Sequence, residues 1–303
     1  MTLTEMRMVL AERGIRLTRS MGQTFLFDRN QLRRIVSSGE VCKTDRCLEI
    51  GPGLGPLTEL LVEAAGEVVA IEKDRRLMEY LRERFAGRAN LTLIEGDALE
   101  YLRRGNLDLQ GWKVVANLPY SVASPILVEL AQHPAAPNAI VVTVQLEVAQ
   151  RLMAGPGSPD YGVLSVFVQA WFRPATWFKI PASCFYPEPK VDSACIRLDK
   201  RESELVRRNS RGCFARLVKL AFAQRRKMMF KVLKTLWEPN QLEHAFDLLA
   251  LDRKVRAEDV SVEQFASLAN LLMTQDNVVE SDVSHPGGSP DLRPCSRPPT
   301  VPE

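Results

Sequence analysis

The amino-acid sequence predicts an α/β fold: a mostly parallel sheet with helices between its strands, followed by a small all-helical domain. Between residues 47 and 200, short apolar runs alternate with stretches whose apolar residues recur at helical spacing. This alternation is typical of βαβ units, which form parallel sheets. The runs end at Gly51, Glu72, Asp97 and Asn117, at intervals of 21, 25 and 20 residues, or one βα unit each time.

Each element is predicted by a local pattern. The strands are the apolar runs 47–50, 68–71, 91–94, 114–116 and 139–144, and the first two helices of the sheet region are predicted over 57–65 and 75–85. After residue 200 the pattern is helical only. Residues 210–236 carry apolar side chains at helical spacing, and Ser261 with Gln264 forms a capping box that opens a helix ending near Met273.

Three regions are therefore expected along the chain. Residues 1–200 form the sheet domain with an N-terminal helical extension, residues 201–274 form a helical domain, and residues 275–303 form a tail. The last 18 residues hold 6 of the 19 prolines. Such a segment cannot bury enough apolar surface to fold, so we expect the tail to be disordered.

The composition is that of an ordinary soluble globular protein, with 303 residues of which 46% are hydrophobic and 25% charged. No run approaches the ~18 apolar residues of a membrane span. Charged residues interrupt residues 1–14, which excludes the apolar core of a signal peptide. Six cysteines without a C-x-x-C pair, and three widely separated histidines, indicate no metal site. We expect a cytoplasmic protein without a membrane partner.

The net charge of +3 hides an uneven distribution. Between Lys200 and Leu236 there are 12 Lys and Arg against two Glu, so this segment carries +10 and the rest of the chain −7. A basic block of this kind is often a solvated helix face. Its length and imbalance nevertheless favour a polyanionic partner, with nucleic acid as the first candidate.

A glycine-rich loop follows the first strand of the sheet. Gly51, Gly53 and Gly55 stand between a strand and a helix, where a ligand can approach the backbone and an anionic group can meet the helix N-terminus. The alternative is a tight βα turn without a ligand. The G-x-G-x-G spacing is neither the G-x-G-x-x-G of dinucleotide-binding enzymes nor a P-loop.

Carboxylates end the next two strands. Glu72 lies 21 residues after Gly51, a position from which an acid can accept both hydroxyls of a ribose. Asp97 ends the third strand, where its carboxylate can accept from an adenine amino group. Either residue alone could be a surface or turn acid. Their occurrence at consecutive strand ends favours a nucleoside-containing ligand.

The motif Asn117-Leu-Pro-Tyr120 ends the fourth strand and predicts methylation of an exocyclic amine. The lone pair of such an amine is delocalised into the base. The Asn117 side-chain oxygen and the Leu118 carbonyl can accept its two N–H bonds and draw the lone pair out of conjugation. Pro119 fixes φ and removes a competing donor. Tyr120 offers a stacking face for a base taken out of its helix.

Two later segments complete the candidate site. Phe185, on a loop stiffened by prolines, can close the other side of a flipped base, or it can fill the core instead. The cluster Arg225, Arg226 and Lys227 follows an apolar stripe and suits RNA phosphates.

Together these residues resemble the small-subunit ribosomal RNA adenine dimethyltransferases over residues 15–274. The matching segments are Gly22 to Leu26, Glu49 to Gly55, Glu72, Gly96 to Ala98, Asn117 to Tyr120, Gln145 to Ala149, Tyr161 to Ser165, Phe185 to Ser193 and Phe222 to Lys227. The resemblance implies a Rossmann-like methyltransferase sheet and S-adenosylmethionine as cofactor. It implies dimethylation of N6 on two adjacent adenines near the 3′ end of small-subunit (16S) rRNA, and therefore a role in rRNA processing and ribosome biogenesis.

The resemblance also assigns site residues. Thr24, Leu26, Gly51, Gly53, Glu72, Asp97 and Asn117 are expected to contact the cofactor. Asn117, Leu118, Pro119 and Tyr120 are expected to hold the target adenine, with Phe185 as the second stacking face. The C-terminal helices would bind the rRNA of an assembling small subunit, with the protein acting as a monomer. Thr24 stands where the family usually has Asn or His, and Leu146 where it usually has Lys.

Three rival functions belong to other classes. An antibiotic-resistance methyltransferase acting on large-subunit rRNA shares the strand-end motifs, but the segments 162–165 and 222–227 favour the small-subunit enzymes. A non-catalytic RNA-binding or assembly factor could keep the fold, but the complete set Gly51, Glu72, Asp97 and Asn117 argues for cofactor binding. The G-x-G-x-G spacing argues against an NAD-dependent oxidoreductase, whose glycine loop reads G-x-G-x-x-G.

Overall fold

The computed structural model describes residues 1–15, 17, 23–105 and 107–276. The strands are β1 (Phe25–Leu26), β2 (Arg46–Ile50), β3 (Glu67–Glu72), β4 (Leu91–Glu95), β5 (Trp112–Asn117), β6 (Ala139–Gln145), β7 (Phe172–Ile180), β8 (Phe185–Tyr186) and β9 (Ser193–Lys200). All five strands predicted from the apolar runs are present, each extended by one to three residues. The predicted disordered tail lies outside the described residues from residue 277 onward.

The helices of the sheet region are α1 (Leu3–Glu12), α2 (Arg29–Ser38), α3 (Pro56–Ala64), α4 (Arg75–Arg84), α5 (Ala98–Arg104), α6 (Ala123–Gln132), α7 (Leu146–Met153) and α8 (Val163–Gln169). The helices of the C-terminal region are α9 (Arg211–Ala223), α10 (Met229–Leu233), α11 (Pro239–Leu248) and α12 (Val262–Asp276). The predicted capping box opens α12, with Ser261 Oγ accepting from the Gln264 amide at 3.1 Å. Among the described helices, none has the length and hydropathy needed to cross a bilayer.

The main sheet has seven strands in the order β4-β3-β2-β5-β6-β9-β7. The strands β2 to β6 are parallel, and in chain order each is joined to the next by a helix. The chain order reverses between β2 and β5, so the carboxyl ends of these strands border the crevice where open α/β sheets bind ligands. The prediction of a mostly parallel α/β sheet is confirmed.

Two antiparallel strands, β9 and β7, complete the sheet, and the apolar pattern did not predict them separately. β7 is an edge strand, and six of its nine residues are exposed or half-exposed. It also carries Pro174, which an edge strand tolerates, and its pairing with β9 shifts register between Pro174 and Thr176. Because buried and exposed residues do not alternate regularly along β7, its sequence cannot be told from that of a loop.

The hydrophobic core runs without interruption from the sheet into the C-terminal helices. Phe214 of α9 is fully buried and meets the Trp171 ring edge-on, with 5.4 Å between ring centroids, and the Phe167 ring at 5.7 Å. Tyr161, also fully buried, donates from its hydroxyl to the Val260 carbonyl at 2.9 Å. These contacts join the regions on either side of residue 200, and the boundary between them stays a prediction.

Replacing Phe214 by Ala should therefore destabilise the whole protein. Loss of a fully buried Phe typically costs about 3–5 kcal/mol, because the cavity it leaves cannot close. We expect this loss in the free energy of unfolding, measured by urea titration with circular dichroism and Trp fluorescence. Both probes should report one shared transition.

Leu248→Ala is the matched control, because Leu248 is 59% exposed and its truncation should change stability little. An unchanged sheet transition in the Phe214→Ala protein, with only the helical signal lost, would mean that the two regions unfold independently.

Candidate functional site

The carboxyl ends of β2, β3, β4 and β5 border an open cavity of about 210 Å³. Its lining includes Thr24, Leu26, Glu49, Gly51, Gly53, Glu72, Lys73, Asp74, Asp97, Asn117, Pro119 and Ile126. All seven residues predicted to contact the cofactor are on this list, so the fold brings together groups up to 93 positions apart in the chain. Three residues predicted to hold the adenine do not line this cavity: Leu118, Tyr120 and Phe185.

The glycine loop owes its composition to tight packing within the protein. Gly53 and Gly55 have φ values of +62° and +77°, in the left-handed region that favours glycine. A Cβ added at Gly53 would lie 2.6 Å from the Phe25 ring, and one at Gly55 would lie 2.6 Å from the Phe85 ring. The loop is thereby held between the N-terminal segment and the C-cap of α4.

Glu72 is 6% exposed and braces the glycine loop. Its Oε2 accepts from the Gly53 amide at 3.0 Å, and its Oε1 accepts from the Asp74 amide at 2.9 Å. Burial raises the pKa of Glu72, although the two backbone hydrogen bonds oppose that shift. Each carboxylate oxygen has a further lone pair, so both can still accept from a ligand hydroxyl.

Asp97 has two functions in the structure. It is the N-cap of α5, with Oδ1 accepting from the Leu99 amide at 2.9 Å, and Oδ2 accepts from Lys73 Nζ at 2.9 Å. Partial burial alone would raise the pKa of Asp97, but the Lys73 ammonium and the backbone amides hold it below its ordinary value. The residue therefore lines the cavity as a carboxylate.

Glu49 is a site residue that sequence reasoning missed. It lies on β2 within the apolar run, is 1% exposed, and lines the cavity. Its Oε2 has no hydrogen-bond partner among the described residues. Burial, with a smaller contribution from the nearby Glu72, raises the pKa of Glu49 to about 8. A buried acid without a partner in an otherwise apolar strand was the signal that could have identified it.

The side-chain amide of Asn117 is hydrogen-bonded through its nitrogen, whereas its oxygen has no partner. Its Nδ2 donates to the Thr24 carbonyl at 3.1 Å, which fixes which way the amide points. Its Oδ1 is buried and has no partner among the described residues. A buried carbonyl oxygen of this kind is costly unless a ligand supplies a donor. This is the acceptor that the sequence motif predicts.

The rest of this motif forms a turn beside Asn117. The Leu118 amide donates to the Thr143 carbonyl at 3.1 Å, and the Val122 amide donates to the Pro119 carbonyl at 3.1 Å. Tyr120 is half-buried, and its hydroxyl lies 2.6 Å from Ser193 Oγ on β9. The Tyr120 ring is therefore fixed in position next to the cavity.

The expectation that Phe185 offers an open stacking face is wrong in this structure. Its side chain is 2% exposed and packs in the core beside Leu26. The cause is the pairing of β8 with β1, in which Leu26 stands opposite Phe185 and Phe25 opposite Tyr186. The ring fills the core, which was the alternative interpretation, and β8 thereby holds the N-terminal segment over the cavity. Gly22 lies outside the described residues.

The basic cluster divides into two parts. Arg225 Nη2 donates to the Pro159 and Tyr161 carbonyls at 3.1 and 3.2 Å and lies 3.5 Å from Glu258 Oε2. These contacts are made by Nη2 alone and Arg225 stays exposed, so its predicted contact with RNA phosphates stays a prediction. Arg226 and Lys227 are exposed as well, and their predicted contact with RNA phosphates also stays a prediction.

The family comparison agrees with this geometry. Residues 14–274 match the family model described as ribosomal RNA adenine dimethylase. The chain belongs to this family. A protein of Moorella thermoacetica named ribosomal RNA small subunit methyltransferase A is 40% identical over 274 residues, 87% of this chain and 95% of its own length. A protein of the same name from Magnetococcus marinus is 41% identical over 88% of this chain and 96% of its own.

Two solved structures share the fold. A dimethyladenosine transferase from Plasmodium falciparum matches with a TM-score of 0.67 and 26% identity, covering 80% of this chain and 95% of its own. The 23S rRNA methyltransferase ErmE matches with a TM-score of 0.61 and 28% identity, covering 82% of this chain and 99% of its own. The protein is thus an S-adenosylmethionine-dependent rRNA adenine methyltransferase with a Rossmann-like sheet.

The cavity fits S-adenosylmethionine. Two buried acids, Glu49 and Glu72, suit a ligand that carries a sulfonium and an ammonium group, and Glu49 Oε2 is an acceptor still without a donor. The Glu72 carboxylate, held by two backbone amides, keeps lone pairs for donors of a ligand, as its predicted contact with ribose hydroxyls requires. A cofactor with many hydrogen-bond donors can supply the partners that these buried polar groups lack within the protein.

Glu49→Gln should stabilise the ligand-free protein at neutral pH. The pKa of Glu49 is about 8 in the folded protein against an ordinary 4.5 in the unfolded chain. Below pH 4.5 the residue is protonated in both states and adds no pH-dependent term to the free energy of unfolding. It disfavours folding increasingly as the pH rises toward 8. The penalty at pH 7 is about 3 kcal/mol, since each unit of pKa shift is worth about 1.4 kcal/mol.

The measurement is the free energy of unfolding between pH 5 and pH 8 for the wild type, Glu49→Gln and the exposed control Glu63→Gln. The wild type and the control should lose stability relative to Glu49→Gln over this range. Parallel curves for all three proteins would show that Glu49 has an ordinary pKa.

Proposed function

We propose that this protein dimethylates N6 of two adjacent adenines near the 3′ end of small-subunit rRNA, during small-subunit assembly. The observation that carries the proposal is Asn117: a half-buried, anchored amide whose buried Oδ1 lacks a donor, on the cavity that fits the cofactor. The choice of the small subunit is supported by the relatives named for it, which are about 40% identical over nearly their whole length. ErmE, named for the 23S rRNA, is 28% identical.

The chemistry that the chain's own residues supply is the presentation of the amine. S-adenosylmethionine, when bound, provides an electrophilic methyl group. Asn117 Oδ1 and the Leu118 carbonyl accept the two N–H bonds of the adenine, so that the nitrogen lone pair leaves conjugation with the ring. The Tyr120 ring, fixed through Ser193, supports the base by stacking. No strong base is needed, because the methylated amine loses its proton readily.

The substrate is tested by incubating the protein with undermethylated small subunits and, separately, with large subunits, in the presence of labelled methyl donor. Mapping of the modified bases should place two dimethylated, adjacent adenines near the 3′ end of the small-subunit RNA. Label in the large-subunit RNA instead would favour the resistance-type methyltransferase, and no label in either would favour an assembly factor.

Asn117→Ala should abolish methyl transfer while the protein stays folded. Removal of one preorganised transition-state contact typically costs about 10²–10³ in kcat, or roughly 2.7–4 kcal/mol. Single-turnover transfer to undermethylated small subunits measures the effect. Asn117→Asp is the informative companion, because it keeps an acceptor oxygen but replaces the Nδ2 donor that reaches Thr24.

Asn90→Ala controls for the general cost of losing a half-buried amide, since Asn90 Nδ2 donates to the Val62 carbonyl at 3.0 Å at the amino-terminal edge of the sheet. It should destabilise the protein without changing the rate of transfer. Near wild-type turnover by a folded Asn117→Ala protein would remove Asn117 from the mechanism.

For RNA binding, we propose an exposed basic stripe made of Arg216, Lys219, Arg226 and Lys227. Arg216 and Lys219 lie on the solvent face of α9, and Arg226 and Lys227 follow the end of that helix. The buried face of α9 packs into the core, so the stripe is presented by a rigid element. Contacts from such a stripe to phosphates release counterions and give salt-dependent affinity.

Reversing Arg226 and Lys227 to Glu should weaken RNA binding and flatten its salt dependence, by about 0.7–0.9 log units per log unit of salt for each lost phosphate contact. Arg225 is left intact, because its loss would disturb the Pro159–Tyr161 segment. Filter binding of small-subunit RNA at several salt concentrations measures both effects.

The control reverses Lys43 and Arg88, which are exposed near the amino ends of β2 and β4, away from the cavity. It changes the net charge equally and should leave the salt slope unchanged. Identical slopes for the wild type and the Arg226/Lys227 variant, both folded by circular dichroism, would show that the stripe is only a solvated surface.

A further inference from the structure

A second, small cavity of about 40 Å³ lies where the C-terminal helices meet the sheet. We call it the His133 cavity. His133 follows the last residue of α6, Trp171 precedes β7, and Arg211 opens α9. The Lys200 amide, which ends β9, donates to the Asn138 carbonyl just before β6 begins. The cavity is therefore at the amino end of β6, the opposite edge of the sheet from Asn117.

Three side-chain nitrogens of the cavity residues have no hydrogen-bond partner among the described residues. They are His133 Nε2, Trp171 Nε1 and Arg211 Nε. His133 and Trp171 are 5% and 7% exposed, so bulk water does not replace the missing partner. A native protein rarely leaves three such groups without partners around one cavity.

All three nitrogens are donors. His133 Nδ1 accepts from the Ala135 amide at 3.3 Å, so in the neutral ring the proton must be on Nε2. The indole nitrogen of Trp and the Nε of Arg can only donate. What the His133 cavity lacks is therefore an acceptor.

The charge of the lining adds to this requirement. Lys200 and Arg201 also line the cavity and donate to the backbone carbonyls of Ala136 and Gln169. Arg211 is the third cation. Glu204 is the one acid among the lining residues; its side chain is 65% exposed and lies 3.5 Å from Arg211. Arg201 Nη2 also pairs with Glu263 at 3.1 Å, so two carboxylates stand against three cations. The remaining positive charge and the three unsatisfied donors favour an anion with several acceptor oxygens.

We propose that the His133 cavity binds a phosphate-sized oxyanion, supplied either as free inorganic phosphate or as a phosphodiester of bound RNA. The four oxygens of a tetrahedral anion supply the acceptors that the three donors lack. Because Trp171 and Arg211 belong to the sheet region and to α9, the bound anion would fasten α9 to the sheet. The site is separate from methyl transfer, so its test does not depend on the proposed function.

The first experiment measures melting temperature in increasing potassium phosphate, against potassium chloride of equal ionic strength. Phosphate should raise the melting temperature of the wild type beyond the chloride control, because a ligand of the native state stabilises it by mass action. His133→Asn keeps an acceptor for the Ala135 amide but removes Nε2. We expect its phosphate affinity to fall about tenfold or more, as for loss of a hydrogen bond to a charged group.

Two further variants make the test selective. Trp171→Phe removes Nε1 but keeps an aromatic ring against Phe214, and it should lower phosphate affinity to a similar extent. His244→Asn changes an exposed histidine on α11 and should respond to phosphate as the wild type does. If His133→Asn fails to fold, Trp171→Phe alone decides.

The source of the anion is distinguished with a labelled single-stranded RNA oligonucleotide. If a phosphodiester occupies the cavity, free phosphate should compete with the RNA, and His133→Asn should weaken RNA binding. If the ligand is a free anion, RNA affinity should be the same in the wild type and in His133→Asn. The proposal is overturned if phosphate stabilises the wild type no more than chloride does, or if it stabilises the folded variants as much as the wild type.

Discussion

The hydrogen bond from Asn117 Nδ2 to the Thr24 carbonyl is the interaction on which the candidate active site depends. It fixes the amide so that Oδ1 faces away from Thr24 and stays without a partner in the protein. It also ties the N-terminal segment to the carboxyl end of β5. The pairing of β1 with β8 and the packing of Phe25 against Gly53 hold the same segment over the cavity. The cavity wall and the proposed amine acceptor are thus held by one short segment, residues 24–26.

The cavity is built at a cost to stability. Glu49 and Glu72 are almost fully buried in a region where burial raises the pKa of both. Asn117 Oδ1 and Glu49 Oε2 lack donors. Groups of this kind destabilise the empty protein, and a ligand that carries positive charge and N–H or O–H donors relieves the cost. We therefore expect the binding free energy of the cofactor to include the hydrogen bonds made to these partnerless groups.

Much of the fold and of the site could be predicted from the sequence, because βαβ units place polar strand ends at regular intervals. That spacing located Gly51, Glu72, Asp97 and Asn117, and the cavity brings them together. Glu49 was missed because it lies inside an apolar run, where only burial reveals its chemistry. Phe185 was assigned an open stacking face that strand pairing buries, and the sequence could not show the tertiary hydrogen bonds of Arg225. The mixed pattern of β7 concealed an edge strand.

The most direct test of this interpretation is a crystal structure of the protein with a non-reactive analogue of S-adenosylmethionine and adenosine monophosphate. The measured quantity is the distance from Asn117 Oδ1 to N6 of the adenine. We expect about 2.7–3.2 Å, a hydrogen bond, with Nδ2 still donating to Thr24. An adenine amine bound away from Oδ1, or an amide turned so that Nδ2 faces the base, would contradict the central role given to Asn117.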